Sequence, residues 1–334
     1  MFKVPRSARF GLVVLVAGVA VGTLATTQHL PVTPAGVSAA PRTITTPTPT
    51  PSLDMQVASA NLSFTMPLSM PAGAPAMRAR AGILVDLDTG AILWAKQPDL
   101  EVAPASLTKV LTALVALENF SPDQTVTITP DALGQSSADT LMHLKAGQTL
   151  TVEELLDGML LPSGDDAASA IAVDTVGADR FVAAMNAQVA ALGLHESHFS
   201  ATAGLDDPHL YSSAYDLAVI AAYTYEHFPL FDQIVATRAI NLPASAEHPA
   251  FALHNLDALL QAYPAAVGMK PGWTGNAGAC LIGMAVRGGH RLLAVLLSAN
   301  YPARLESRLF DWGFQLEGLP PLLPPTPSPS PAHR

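Results

Sequence analysis

Cysteine is almost absent. The 334 residues hold one, Cys280, so no internal disulfide can staple the fold, and zinc or iron–sulfur centres built on thiolates are excluded. Charge is sparse too. Asp, Glu, Lys and Arg make up 13% of the chain, with 27 acidic residues against 17 basic, a net −10. That sign disfavours nucleic acid or an anionic bilayer as the main partner. No Gly-x-Ser-x-Gly elbow occurs, which disfavours an α/β-hydrolase. His195-Glu196-Ser197-His198 lacks the His-Glu-x-x-His spacing of a helical zinc site and reads as surface histidines. What the chain does have is apolar residues, 49% of it, enough for a sizeable core.

Lys3, Arg6 and Arg9 precede an uncharged run of sixteen residues, Phe10 to Ala25. This is the layout of an export signal, with Thr23-Leu24-Ala25 as a candidate cleavage site. The run is short for a bilayer span, and residues 1–30 read either as a cleaved signal or as a retained membrane tether. Residues 31–77 carry nine prolines among Thr, Ser and Ala, and residues 319–334 carry seven in sixteen. Both segments are predicted to be extended and unpacked. Residues 78–318 hold 12 basic and 26 acidic residues and no internal linker or repeat, which suits one folded domain.

Within that domain, Gly82-Ile83-Leu84-Val85-Asp86 and Ala91-Ile92-Leu93-Trp94-Ala95 read as strands joined around Asp88-Thr89-Gly90, a hairpin. From Ser106 to Glu118, Leu107, Val110, Leu111, Leu114, Val115 and Leu117 recur at helical spacing. Further helical patterns cover 151–161, 166–175, 179–192 and 214–227. Strands return over 265–274, 280–287 and 291–298, with Gly288-Gly289 as a turn, before an amphipathic helix near 303–312. Strands at both ends of the domain and helices between them predict an α+β fold whose antiparallel sheet joins N- and C-terminal segments.

Three short stretches carry candidate chemistry. Ser106-Leu107-Thr108-Lys109 follows Ala103-Pro104-Ala105, which sets the serine near a helix start with the lysine on the same face. A hydroxyl is a poor nucleophile at neutral pH, but a lysine that is desolvated or faces other positive charge can act as its base. The same letters also describe an N-cap serine followed by a solvated lysine. Ser163-Gly164-Asp165 stands between two helical patterns, where Ser163 or Asp165 would ordinarily be an N-cap. Lys270-Pro271-Gly272-Trp273-Thr274 lies on a strand, where a lysine between Met269 and Pro271 is either an edge residue or one whose charge is used. Residues 78–318 contain only Lys96, Lys109, Lys145 and Lys270, and two of these four fall in the three stretches.

The order Ser-x-x-Lys, Ser-x-Asn, Lys-Thr-Gly is the signature of penicillin-binding proteins and serine β-lactamases, and the three stretches resemble it. More narrowly, the chain resembles the D-alanyl-D-alanine carboxypeptidases of peptidase family S11. The likeness covers nearly all of 78–318. It includes Asp88-Thr89-Gly90, Pro104-Ala105-Ser106-Leu107-Thr108-Lys109, Met185-Asn186, Ala203-Gly204-Leu205, Ser213-Ala214-Tyr215-Asp216 and Gly268-Met269-Lys270-Pro271-Gly272-Trp273-Thr274. The resemblance implies a β-lactamase/transpeptidase-like fold, a peptidoglycan stem peptide as substrate, β-lactam antibiotics as inhibitors, an extracytoplasmic location and no metal or organic cofactor. It also implies roles. Ser106 attacks the carbonyl of the terminal D-Ala-D-Ala bond, Lys109 takes its proton and Ser163 relays a proton to the leaving amine. Lys270 attracts the substrate carboxylate. The backbone N–H groups of Ser106 and Trp273 form the oxyanion hole, and Asp165, Gly272 and Thr274 stand at substrate-binding positions.

Two positions depart from the family pattern. Asp165 replaces an asparagine, exchanging an amide that donates and accepts for a carboxylate that only accepts when ionised. Close to Lys109, an ionised Asp165 favours the charged lysine and weakens it as a base. Pro271 replaces a threonine, removing a hydroxyl and an N–H from the carboxylate site, so looser recognition of the substrate carboxylate is expected. If Pro271 shares the outward direction of the Trp273 N–H, no ladder bond is lost. Two rivals follow. One is a wall-binding homologue with turnover switched off. The other is a β-lactamase, which needs a second carboxylate that Glu196, Glu226 and Glu247 do not supply in a Glu-x-x-Leu-Asn setting.

Overall fold

The computed structural model describes residues 55–57, 62–134 and 140–324. The predicted export signal at 1–30, the linker up to residue 54 and the tail from 325 lie outside the described residues.

Strand β1 (Ala81–Asp86) and strand β2 (Ala91–Lys96) form the predicted hairpin. Its turn is held by Asp86, whose carboxylate accepts from the Asp88 amide at 2.9 Å and the Thr89 hydroxyl at 2.7 Å. The C-terminal strands β7 (Ala266–Thr274), β8 (Gly278–Arg287) and β9 (His290–Leu297) complete an antiparallel sheet ordered β2-β1-β9-β8-β7. Gly288 and Gly289 turn β8 into β9 with φ of 60° and 88°, backbone that a two-residue hairpin turn requires and side chains resist. Every residue of β1 is buried, because both faces of the sheet are covered.

One face carries the helical block: α1 (Thr108–Asn119), α2 (Val152–Leu160), α3 (Asp165–Val173), α4 (Ala178–Ala191), α5 (Ala214–His227) and α6 (Pro229–Ala236). The other carries α7 (Ala258–Ala262) and α8 (Pro302–Leu316), with Leu259, Phe310 and Phe314 against Leu84, Leu281 and Leu292. Helix α1 runs through the centre of the block, buried on all sides from Thr108 to Ala116. A helix so enclosed can present a polar side chain only where a site is built for it. This is the α+β architecture expected from the sequence.

The proline-rich flanks are less free than their composition predicted. Thr65 pairs with the outer edge of β2, donating to the Gly90 carbonyl at 2.9 Å and accepting from the Ile92 amide at 3.0 Å. Phe64 is buried edge-on against Tyr215, and Met77 is buried on the opposite face. On the C-terminal side the amides of Leu322 and Leu323 donate to Asp311 at 2.9 and 2.8 Å, and Leu319 and Leu323 pack beside α8. A few apolar side chains and an open strand edge are enough to dock a segment that reads as linker.

Candidate active site

Ser106 sits in a single 3-10 turn, Ala105–Leu107, and the α-helix proper begins at Thr108, two residues later than the periodicity predicted. The turn is reached through strained backbone, since Ala105 has φ +52°. Its carbonyl is covered by Gly204, itself at φ +87°, where a Cβ would stand 1.9 Å from Ala105 O. Only glycine fits there. Lys109, one turn along and 0% exposed, points its Nζ at three oxygens: Ser106 Oγ at 2.9 Å, Asp165 Oδ1 at 2.6 Å and the Ala203 carbonyl at 2.8 Å. The next turn of α1 anchors the same loop, with Thr112 Oγ1 donating to Thr202 O at 2.8 Å.

Asp165 arrives from a second tight corner. After α2, Ser163 adopts φ +63° and is almost wholly buried. Gly164 is the N-cap of α3 and Asp165 its first residue, so neither Ser163 nor Asp165 caps the helix as its position suggested. The Asp165 side chain is engaged with Lys109 instead. Thr140 clamps this corner, its hydroxyl donating to Ser163 O and its carbonyl accepting from Asp165 N, both at 2.8 Å. Asp166 fixes the segment opposite through the amides of Met142 and Leu144.

The third wall is β7, the sheet edge away from the hairpin. Pairing with β8 continues unbroken from Lys270 through Pro271 to Thr274, so the proline costs the ladder no register. A Cβ on Gly272 would stand 2.9 Å from Ser106 N, and this close approach of strand to nucleophile requires glycine. Thr274 Oγ1 accepts from the Ala277 amide at 3.1 Å and keeps its own proton to donate. Trp273 is 71% exposed at the rim. Lys270 is wholly buried, and its Nζ donates to the Pro271 carbonyl at 3.1 Å. Burial holds its ammonium well below the usual lysine range and Lys109 adds to this, while Asp257 and Asp165 oppose it.

Between these walls lies a cleft of about 520 Å³. Ser106, Ser163, Asp165, Gly272, Trp273 and Thr274 line it, all anticipated from the sequence. Lys109 and Lys270 stand behind the lining. Thr140, Leu205, Asp206 and Leu256 also line it and were not anticipated; only Leu205 belonged to a recognisable string. A larger cavity of about 860 Å³ lies against α7 and α8, mostly apolar and without any nucleophile–base pair of the kind Ser106 and Lys109 form. Among the described residues no helix is long and apolar enough to cross a membrane.

Residues 69–301 match the family D-alanyl-D-alanine carboxypeptidase, peptidase S11. The D-alanyl-D-alanine carboxypeptidase DacB2 of Mycobacterium tuberculosis H37Rv is 37% identical over 257 residues, covering 74% of this chain and 87% of its own. DacD of Salmonella typhimurium is 35% identical over 255 residues, but this chain spans only 64% of its length. The crystal structure of a D-alanyl-D-alanine carboxypeptidase from M. tuberculosis H37Rv aligns with a TM-score of 0.68 at 35% identity, over 76% of this chain and 97% of that one. The Streptomyces K15 DD-transpeptidase aligns with a TM-score of 0.68 at 31% identity, over 73% and 99%. With the motifs brought to one cleft and the match extending over residues 69–301, the chain belongs to peptidase family S11, the serine-type D-alanyl-D-alanine carboxypeptidases.

Proposed function

We propose that this chain removes the terminal D-alanine of peptidoglycan stem peptides through an acyl-enzyme on Ser106, and that β-lactams acylate the same oxygen. The observation that carries the reading is the 2.9 Å contact between Lys109 Nζ and Ser106 Oγ. An uncharged Lys109 can donate its two N–H groups to Asp165 Oδ1 and the Ala203 carbonyl and keep its lone pair for the serine proton. Ser106 Oγ then bonds to the substrate carbonyl carbon as its proton passes to Lys109, and charge collects on the carbonyl oxygen. The amides of Ser106 and Trp273 receive that charge. Collapse breaks the C–N bond, and the amine takes a proton relayed from Lys109 through Ser163 and leaves as D-alanine. Water adds to the ester carbonyl as its proton passes to Lys109; collapse breaks the ester C–O bond and frees the shortened peptide, and Lys109 returns the proton to Ser106 Oγ. Lys270 supplies positive potential toward the substrate carboxylate from beneath the cleft floor. Residues 1–30 export the enzyme to where this substrate is found, and a tether there is the remaining alternative to cleavage.

One observation favours a second reading, a wall-binding homologue without turnover. Asp165 holds Lys109 at 2.6 Å with both side chains nearly or wholly buried, and a lysine kept charged cannot take the serine's proton. Incubation with a D-Ala-D-Ala pentapeptide separates the two. The carboxypeptidase releases D-alanine from the wild type and none from Ser106→Ala; release from neither leaves the binding protein. Rapid penicillin hydrolysis without lasting adduct marks the β-lactamase.

A further inference from the structure

We propose that the cavity against α7 and α8 is a leaving-group subsite, and that this chain also hydrolyses cross-links, the D-alanyl bonds whose amine belongs to a second stem peptide. This extends the carboxypeptidase reading, on which the direction of the bound substrate rests.

Strand β7 is the free edge of the sheet, and an extended peptide adds to such an edge as a further strand. On it the Trp273 amide takes the charge of the scissile carbonyl, and the positive potential for the terminal carboxylate comes from Lys270. The acyl half of the substrate therefore extends toward Thr274 and the amine half toward Pro271. Leu256 and Pro271 are walls of the cleft and of the larger cavity alike. Whatever continues past the amine of the scissile bond is led across these two side chains into that cavity.

Little at Pro271 demands that the substrate stop there. Proline offers neither a hydroxyl nor an N–H to a terminal carboxylate. Lys270, wholly buried with its Nζ on the Pro271 carbonyl, does not line the cleft. A D-alanine leaving group is one small residue, whereas the cavity beyond it, about 860 Å³, lies in the range of about 300–1,000 Å³ that buries whole ligands.

The walls suit a peptide that carries carboxylates. Leu256 and Tyr301 line the cavity and are more than half exposed, large apolar side chains left to water. Arg304 and Arg308, one turn apart on α8, line it too. Residues 78–318 hold 26 acidic residues against 12 basic, and Arg291 pairs with two of those acids, Asp88 and Glu226. Among the described residues neither Arg304 nor Arg308 has an ion pair or a side-chain hydrogen bond. Unpaired guanidinium forks are carboxylate receptors. The two acids on the same walls are already engaged: Asp311 accepts from the Tyr263 hydroxyl and the Leu322 and Leu323 amides, and Asp257 accepts from the Leu259 amide.

The covalent steps are those of the carboxypeptidase. Ser106 Oγ bonds to the D-alanyl carbonyl carbon, the C–N bond breaks, and the amine takes the relayed proton and leaves within its own stem peptide. Water then hydrolyses the ester, so one cross-link and one water give two separate stem peptides.

Two tetrapeptides joined by one D-alanyl cross-link serve as the probe, with the full chain. Calorimetry with Ser106→Ala is expected to show the joined pair bound about tenfold more tightly than a pentapeptide. Adding Arg304→Gln and Arg308→Gln removes that advantage and leaves pentapeptide binding unchanged. In the active chain the same two changes raise KM for splitting the joined pair by about tenfold without altering D-alanine release, which shows the fold intact. A joined pair bound no more tightly than the pentapeptide, or left uncut by a chain that releases D-alanine, overturns the proposal. So does a groove that binds the pair only after residues 325–334 are removed, or that supports arginine-dependent self-association instead, since the tail or a second copy is then its occupant. Arginine-dependent binding in a chain that cuts neither substrate upholds the subsite and sinks the carboxypeptidase reading together with cross-link hydrolysis.

Discussion

At Asp165 the exchange of an amide nitrogen for an oxygen changes what the site can do. A carboxylate 2.6 Å from Lys109 stabilises the charged lysine, which is the wrong form for a base. Asp165→Asn therefore moves the acid limb of the kcat/KM profile to lower pH by about one unit or more, and acylation at pH 7 rises roughly tenfold. Stopped-flow acylation by a chromogenic cephalosporin reads this directly, and a rate that falls instead means Asp165 is needed as it stands. Residues of this kind were legible in the sequence because they are chemically out of place: scarce lysines, a proline in a strand, an aspartate where the family signature has asparagine. The Ala203 carbonyl was not. A backbone oxygen carries no letter of its own.

Secondary-structure elements were legible where their period ran long enough. Helix α5 spans the 214–227 its periodicity predicted, capped by Ser213, whose hydroxyl accepts from the Asp216 amide, and β7, β8 and β9 fall within two residues of the predicted apolar runs around the Gly-Gly turn. The ribbons β3 (Thr125–Thr127) with β4 (Thr149–Thr151) and β5 (Ala239–Leu242) with β6 (Phe251–His254) were missed. Three or four residues give no period to read. Helix α2 makes a prediction of its own. Burial, then Glu153 and Glu154, raises the Asp157 carboxyl to about 7. As pH climbs from about 4 to about 7 the unfolded chain gives up this proton first, so the folded state loses stability across that window. Asp157→Asn should accordingly stabilise by about 2 kcal/mol at pH 8, allowing for partial solvent screening, and by almost nothing at pH 4. Urea midpoints at the two pH values check it, and equal gains at both would contradict the assignment.

On the scale of the whole molecule, the order of the motifs predicted which distant segments meet, and composition misjudged where the packed unit begins. Residues 62–77 and 319–324 lie on the fold through Phe64, Met77, Leu319 and Leu323, which proline counting concealed. A fragment of residues 78–318 is therefore expected to melt several degrees below one of residues 62–324, the loss of buried Phe64 alone being worth about 3 kcal/mol; calorimetry of the two decides it, and equal melting temperatures would return the flanks to linker. The account as a whole depends on a hydroxyl handing its proton to the amine one turn along the chain. Intact mass after exposure to benzylpenicillin tests that most directly. The wild type should gain one penicillin mass, and Ser106→Ala and Lys109→Ala none. An unmodified wild type, or an adduct that persists in Ser106→Ala, would contradict the account.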